Sequence, residues 1–357
     1  MIAKLAKLQS LIGNTPVQKL EDEHVNLFAK LEFKNWTGSA KVRPAFLILK
    51  KAIESGQVRV GFTIVESTSG NFGLALASIC GELGLPFIAV VDPNINQASM
   101  ERLQTLGATV LQVEERDDTG GYLKTRIKKV RELCEHLPNV FWPNQYENEN
   151  NLNAHYFGTG QEICERFEQL DYAFIGVGSA GTISGVSARL KERFPHVKIV
   201  AVDAVGSVIF GAEPRTRRIP GIGSSIVPPL LRKARIDDVV WVSDLETIGA
   251  CHELRRRHHI FAGGSSGSSY AAIQRYFRDQ DLLPLKPTVL FLCVDGGELY
   301  NATIYNNQWV ADLVRTHSHY SFEQGVLPLP RGGAPNISDY PNRMDNMDTQ
   351  QQNERGR

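Results

Sequence analysis

No run of apolar residues in this chain approaches the ~20 that a membrane-spanning helix needs, so a helical membrane protein is excluded and no membrane partner is expected. Residues 1–10 carry two lysines but no sustained apolar core and no small-residue cleavage site, so they do not read as a signal peptide; cytoplasm is the expected location. Net charge is also missing: 39 basic residues balance 39 acidic ones, which removes any overall electrostatic case for nucleic acid. The densest basic cluster, Arg255-Arg256-Arg257-His258-His259, falls at the end of a helical pattern, where cations meet the macrodipole favourably. Cysteine is sparse. Cys80, Cys134, Cys164, Cys251 and Cys293 are scattered, with no Cys-x-x-Cys pair and no metal-ligand spacing, so they read as buried free thiols and no metal site is expected.

What the chain does have is length and rhythm. Its 357 residues, 42% hydrophobic, can bury a large core in one or two globular domains. Strand and helix patterns alternate. A helical stripe (Phe46, Leu49, Ile53) over 43–55 precedes a short strand at 63–66 and a helix at 71–80 that is apolar almost all round, as in a helix buried on several sides. Strand 87–91, helix 99–106, strand 109–113 and helix 122–136 follow, then strand 172–177, helix 182–194 and strand 198–202. Residues 204–229, rich in Gly, Pro and Ser, suit a long loop beside a site. Strand 239–242 leads to Ser243 and Glu246 at capping-box spacing, and strand 288–294 closes the pattern. After about residue 324 the sequence fades into Pro, Gly, Asn and Gln, the composition of a disordered tail. Strands alternating with helices imply three-layer α/β architecture.

Chemistry concentrates in one turn and three loops. The stretch Asn35-Trp-Thr-Gly-Ser-Ala-Lys-Val-Arg places Lys41 between a Gly-Ser turn and Pro44, where a helix begins; alone, such a lysine reads as surface charge. The loops stand at the carboxyl ends of expected strands, where open parallel sheets bind ligands. Ser67-Thr68-Ser69-Gly70-Asn71 could cradle a small carboxylate with its amides and hydroxyls, or simply cap a helix. Gly178-Ser179-Ala180-Gly181-Thr182 has the small residues that let amides approach a phosphate, although a tight turn would use them too. Gly263-Gly264-Ser265-Ser266-Gly267-Ser268 opens a helix and could be no more than a turn and N-cap. Taken with Lys41, the three ask for a ligand with a phosphate, an aromatic ring that accepts a hydroxyl hydrogen bond, and an aldehyde that reacts with an amine: pyridoxal phosphate.

The same motifs resemble the fold-type II pyridoxal phosphate enzymes (tryptophan synthase β-like), specifically the cysteine synthase and cystathionine β-synthase group, in the right order over residues 8–315. The resemblance implies two three-layer α/β domains with the cofactor in the cleft: a larger one from 1–43 and 151–325, a smaller mobile one from 44–150, and a disordered tail at 326–357. It implies that Lys41 carries the cofactor as an internal aldimine, that Asn71 bonds the ring hydroxyl oxygen, that residues 178–182 hold the phosphate, and that Ser265 faces the pyridine nitrogen, or Ser266 if the register slips by one. Ser67, Thr68 and Ser69 with Gln145, from Asn144-Gln145-Tyr146-Glu147-Asn148, would hold the substrate carboxylate. A homodimer is implied as well.

Such a site supports β-replacement through an aminoacrylate. The amine freed from Lys41 becomes a base for the α-proton, and a serine at the pyridine nitrogen, supplying no carboxylate, lets loss of a β-substituent compete with racemisation and transamination. Segments 120–127, 203–211 and 260–265 are most similar to a branch of staphyloferrin B type, which joins O-phospho-L-serine to L-glutamate, forms N-(2-amino-2-carboxyethyl)-L-glutamate and phosphate, and leads to 2,3-diaminopropionate for siderophores and related peptides. Arg126 then has a task, because its guanidinium fork suits a phosphate better than a neutral ester, with Tyr146 and Ser179 as helpers; a solvated helix face is the plain alternative. Trp36, Val42 and Ala180 depart from the family pattern without removing a catalytic group. Asp295-Gly296-Gly297-Glu298 reads as a solvated loop. The competing readings are a cysteine synthase using O-acetylserine or O-phosphoserine with sulfide, and a non-catalytic module that keeps the fold to bind a partner.

Overall fold

The computed structural model describes residues 1–118, 120–278 and 285–323; the tail expected at 326–357 lies outside the described residues. Two sheets organise the chain. The first has six strands in the order β1-β2-β10-β7-β8-β9: β1 (Val17–Leu20), β2 (Asn26–Leu31), β7 (Tyr172–Gly176), β8 (Lys198–Ala204), β9 (Asp238–Val242) and β10 (Thr288–Cys293). Only the β1–β2 pair is antiparallel. The second has four parallel strands in the order β5-β4-β3-β6: β3 (Thr63–Ser67), β4 (Phe87–Val91), β5 (Thr109–Gln112) and β6 (Val140–Phe141).

Each sheet is covered on both faces, which explains the nearly continuous apolar strands. Successive side chains of a strand point to opposite faces. In β7, Ala173 and Ile175 pack with Ile183, Val186 and Leu190 of α8 (Gly181–Arg193), while Phe174 packs with Ala272, Ile273 and Phe277 of α10 (Gly264–Phe277). In β3, Ile64 joins α2 (Val42–Glu54) and α3 (Asn71–Leu83), whereas Val65 meets Val130 of α5 (Leu123–His136). These are the three layers expected of each half.

The expected helices and strands recur with small shifts at their ends. Helix α4 (Gln97–Thr105) starts two residues early because the Asn96 side chain accepts from Ser99 N at 2.7 Å and caps it. Ser243 and Glu246 form the expected capping box at the start of α9 (Asp244–His258). The five cysteines are free, four of them buried. Some elements were not foreseen: α1 (Ile2–Gln9), the β1–β2 hairpin, the run α6 (Glu149–Ala154), π-helix (His155–Gly160) and α7 (Gln161–Arg166), and α11 (Asn307–Glu323). The N-terminal segment divides its packing. Leu5 and Leu8 of α1 enter the core of α2 and α3, while β1 and β2 extend the six-stranded sheet. Among the described residues no helix is long and apolar enough to cross a membrane.

Candidate functional site

Lys41 sits immediately before α2, in a turn strapped to the end of β10. Gly38, at φ +79°, allows the chain to reverse. Ala40 N then donates to Val294 O at 2.8 Å, and Ser39 pairs with Asp295 as an isolated antiparallel bridge. Lys41 is half-buried, and desolvation lowers the pKa of its amine, with the Asp295 carboxylate partly opposing the shift. An amine in such a place is closer to a nucleophile and base than a surface lysine is.

Asp295 overturns the solvated reading of its loop. It is 2% exposed, and its Oδ2 accepts from Asn71 Nδ2 and from Tyr300 Oη, both at 2.7 Å. Burial pushes its carboxyl up to about 6 against the pull of those two donors and of Lys41. Room for it comes from Gly263, where an added Cβ would lie 2.1 Å from Asp295 Oδ1. Asn71, the first residue of α3, is thereby fixed to Asp295, whose charge acts on Lys41. Composition could not reveal this, because β10 and α3 meet only in the folded chain.

The phosphate-type loop lies between β7 and α8. Ala180 caps α8 with φ +64°, a left-handed conformation that turns successive amides inward. Among the described residues, the amides of Gly178, Ser179, Ala180 and Gly181 have no hydrogen-bond partner, and they open a helix N-terminus suited to an anion. Space is tight around them: a Cβ at Gly181 would stand 2.1 Å from Asn151 Oδ1. Asn151 donates to Gln145 O at 2.6 Å and Ser179 Oγ at 3.3 Å. Thr182 Oγ1 lies 3.2 Å from His155 Nε2, and His155 Nδ1 lies 3.0 Å from Thr159 Oγ1. Burial, then the nearby cations Lys41 and Arg43, hold His155 well below the usual histidine range, so it is neutral. Asn151 and His155 were both missed; they lie on α6 and the π-helix, whose polar sequence has no apolar period to mark it.

In the first turn of α10, Ser265 is 5% exposed, close to β7: a Cβ on Gly176 would be 3.7 Å from Ser265 Cβ. Ser266 points elsewhere. Its hydroxyl accepts from Val294 N at 3.1 Å within the core. Of the two hydroxyls, that of Ser266 is therefore already engaged by the backbone.

The carboxylate-type loop follows β3. Ser67 is buried and its Oγ has no partner among the described residues; Thr68 Oγ1 accepts from Gly73 N at 2.9 Å; Ser69 Oγ accepts from Arg126 Nη1 at 3.2 Å. Gln145 is drawn in, with Nε2 on Ser67 O at 3.2 Å. Beneath them Glu66 accepts from Trp142 Nε1, Ser67 N and Gln145 N, and burial raises its carboxyl to about 7 despite these bonds. Arg126 is not on a solvated face. Its Nε lies 3.2 Å from Asp92 Oδ2, and both side chains are largely buried. Tyr146 is close enough to feel Arg126 and Arg217, although burial dominates and raises its phenol pKa.

Four separate segments thus bring a half-buried amine, an amide cradle, a serine hydroxyl and a carboxylate-type loop together at the strand ends. The unbonded amides and the Lys41 amine, its pKa lowered by desolvation, fit pyridoxal phosphate, and the small residues leave it space. Two α/β sheets that carry such groups at their strand ends are the build expected of a pyridoxal phosphate enzyme. The model for the family described as pyridoxal-phosphate dependent enzyme matches residues 8–294, and the protein belongs to that family. Among curated proteins it is 41% identical over 323 residues to N-(2-amino-2-carboxyethyl)-L-glutamate synthase of Ralstonia nicotianae, covering 89% of this chain and 94% of the relative. It is likewise 41% identical over 307 residues to the protein of that name from Cupriavidus metallidurans, covering 85% and 90%. Similar solved structures include the O-acetylserine dependent cystathionine beta-synthase from Helicobacter pylori (TM-score 0.77, 31% identity, 84% of this chain and 98% of that one). O-ureido-L-serine synthase is comparable (TM-score 0.78, 28% identity, 85% and 98%).

Proposed function

We propose that the protein catalyses β-replacement, joining O-phospho-L-serine to L-glutamate with release of phosphate and forming N-(2-amino-2-carboxyethyl)-L-glutamate. The observation that carries the leaving group is Arg126, held by Asp92 and reaching Ser69 Oγ at 3.2 Å beside the carboxylate-type loop. A guanidinium there matches a phosphate dianion and is wasted on a neutral ester. The names of the two relatives at 41% identity support the amine partner.

Lys41, Asn71, residues 178–182 and Ser265 would hold the cofactor. When bound, it supplies an electron sink for the substrate's α-carbon. Lys41 is the base for the α-proton, and burial favours the neutral amine this needs. Ser67, Thr68, Ser69 and Gln145 bind the substrate carboxylate, with the unpaired Ser67 Oγ available as a donor. Arg126, with Tyr146 and Ser179, binds the departing phosphate. Ser265 offers the pyridine nitrogen a neutral hydroxyl, and Asp295 keeps Asn71 in position through its 2.7 Å bond. Residues 44–150 form the smaller, mobile part that closes over the substrates against 1–43 and 151–325. The working form is a cytoplasmic homodimer feeding 2,3-diaminopropionate formation for siderophores or peptides.

Mixing the holoenzyme with both substrates should release inorganic phosphate in step with a product of the condensed mass. Absence of phosphate sinks the reading. Steady turnover that needs sulfide and ignores glutamate assigns cysteine synthesis instead. A purified protein lacking absorption near ~410 nm carries no cofactor on Lys41.

A further inference from the structure

Arg217 lies on the long loop between β8 and β9, and this loop packs against the phosphate-type loop and the start of α10. Gly223 N donates to Val177 O at 2.7 Å, at the base of the phosphate-type loop. Added Cβ atoms at Gly178, Gly176 and Gly264 would meet Gly221 O at 3.3 Å, Ile222 Cδ1 at 3.6 Å and Ile219 Cγ2 at 2.2 Å. The loop therefore touches the elements around Lys41 from the side of the six-stranded sheet. Gly223, at φ +75°, makes space for the guanidinium, since a Cβ there would be 2.6 Å from Arg217 Nη1.

The guanidinium is half-buried, and among the described residues no carboxylate lies within ion-pair distance of it. Its contacts are neutral and long: Nη1 to Ile222 O at 3.4 Å and Nη2 to Ser225 Oγ at 3.2 Å. Desolvation lowers its pKa, and Asp203, Asp244 and Tyr146 oppose that shift only through space. The fields of both Arg126 and Arg217 reach Tyr146. Arg126 has Asp92 as its ion-pair partner and donates to Ser69, although its Nε makes no hydrogen bond among the described residues, and the α-carboxylate of the first substrate has its own loop. A cation taken out of water without a carboxylate is costly unless a ligand supplies one.

We propose that Arg217 binds a carboxylate of the incoming amine substrate, so that the cleft uses one guanidinium for the departing phosphate and the other for the dicarboxylate that replaces it. The inference rests on the β-replacement reading above and extends it to the second substrate. A fork of donors resting on neutral acceptors can exchange them for a carboxylate in a bidentate contact.

The test compares the parent holoenzyme with Arg217→Gln and Arg217→Lys. Phosphate burst from O-phosphoserine alone reads the first half of the reaction, and the KM for L-glutamate reads the second. Losing one charge-assisted contact should raise that KM about 10- to 100-fold in Arg217→Gln, with a smaller rise in Arg217→Lys and parent-like bursts in both. Unchanged KM for glutamate overturns the inference, and so does an equal loss of burst and of glutamate use. Parent enzyme without any burst overturns both this inference and the reading it rests on. If Arg217→Gln does not fold, Arg217→Lys decides by the same two measurements.

Discussion

Arg126 and Glu66 illustrate how neighbours change what a charged residue can do. Arg126 belongs to a helix crowded with Lys and Arg, yet its side chain turns inward to Asp92 and Ser69. Arg126→Gln should lower kcat/KM for O-phosphoserine about 10- to 100-fold, the value of one charge-assisted hydrogen bond, and should spare O-acetylserine if that ester is accepted at all. Equal losses with both esters in steady-state assays would remove the phosphate role. Glu66 is a carboxyl whose folded value, about 7, lies above its ordinary 4.5. The folded state therefore binds the proton more tightly than the unfolded chain does, and the stability this gives is lost as pH rises from about 4.5 through 7. Glu66→Gln removes the titration. The difference in melting temperature between variant and parent should move in the variant's favour across that range, by a few degrees; a flat difference would place the group's folded value near its ordinary one.

At the scale of elements, legibility followed burial pattern. Strands β3, β4, β7, β8 and β10 and helices α2, α3 and α8 were readable because sheets covered on both faces demand apolar runs and the helices between them end at Gly or polar residues. The β1–β2 hairpin was not, since Lys19 and Lys30 interrupt its apolar alternation; Lys30 is 1% exposed only because Glu162, far along the chain, pairs with it at 2.7 Å. Loops of the site were legible from their Gly and Ser residues. Asp295, Asn151 and His155 were not, because their importance comes from partners on other elements. The α8 entry turn can be tested directly. Ala180 at φ +64° is strained, so Ala180→Gly should be neutral or stabilising by up to about 1 kcal/mol and should retain the cofactor. Gly181→Ala should instead weaken cofactor affinity by about tenfold or more, since its Cβ would force Asn151 out of the cradle. Absorbance titration of the apoenzyme measures cofactor affinity in both variants, and thermal melting measures the stability of Ala180→Gly.

Across the whole molecule, one buried charge network joins segments distant in sequence at the point where Lys41 must be held. Arg43, at the start of α2, donates from Nε and Nη2 to Glu32 at 2.7 and 2.8 Å, and from Nη1 and Nη2 to Glu162 at 2.7 and 2.9 Å. Thr15 and Lys30 complete the set, Lys30 Nζ reaching Thr15 O at 2.8 Å. Glu32 follows β2, Glu162 lies in α7, and α2 packs on the four-stranded sheet, so the network ties the entry of the lysine turn to the six-stranded side. Its carboxylates depend on the cations. Glu162 is held down to about 2 by Arg43 and Lys30 in spite of desolvation, and its contribution is present above its ordinary 4.5 and lost as pH falls through 2. Arg43→Met keeps the aliphatic volume but leaves Glu32 and Glu162 with Lys30 alone. Breaking a buried pair by removing one partner costs about 3–5 kcal/mol, far more than an exposed ion pair. The variant should therefore melt several degrees lower, and because Lys41 lies two residues away, it should also bind pyridoxal phosphate more weakly than Arg43→Lys does. Equal melting and equal cofactor affinity in the two variants would mean that the network holds neither the fold nor the lysine.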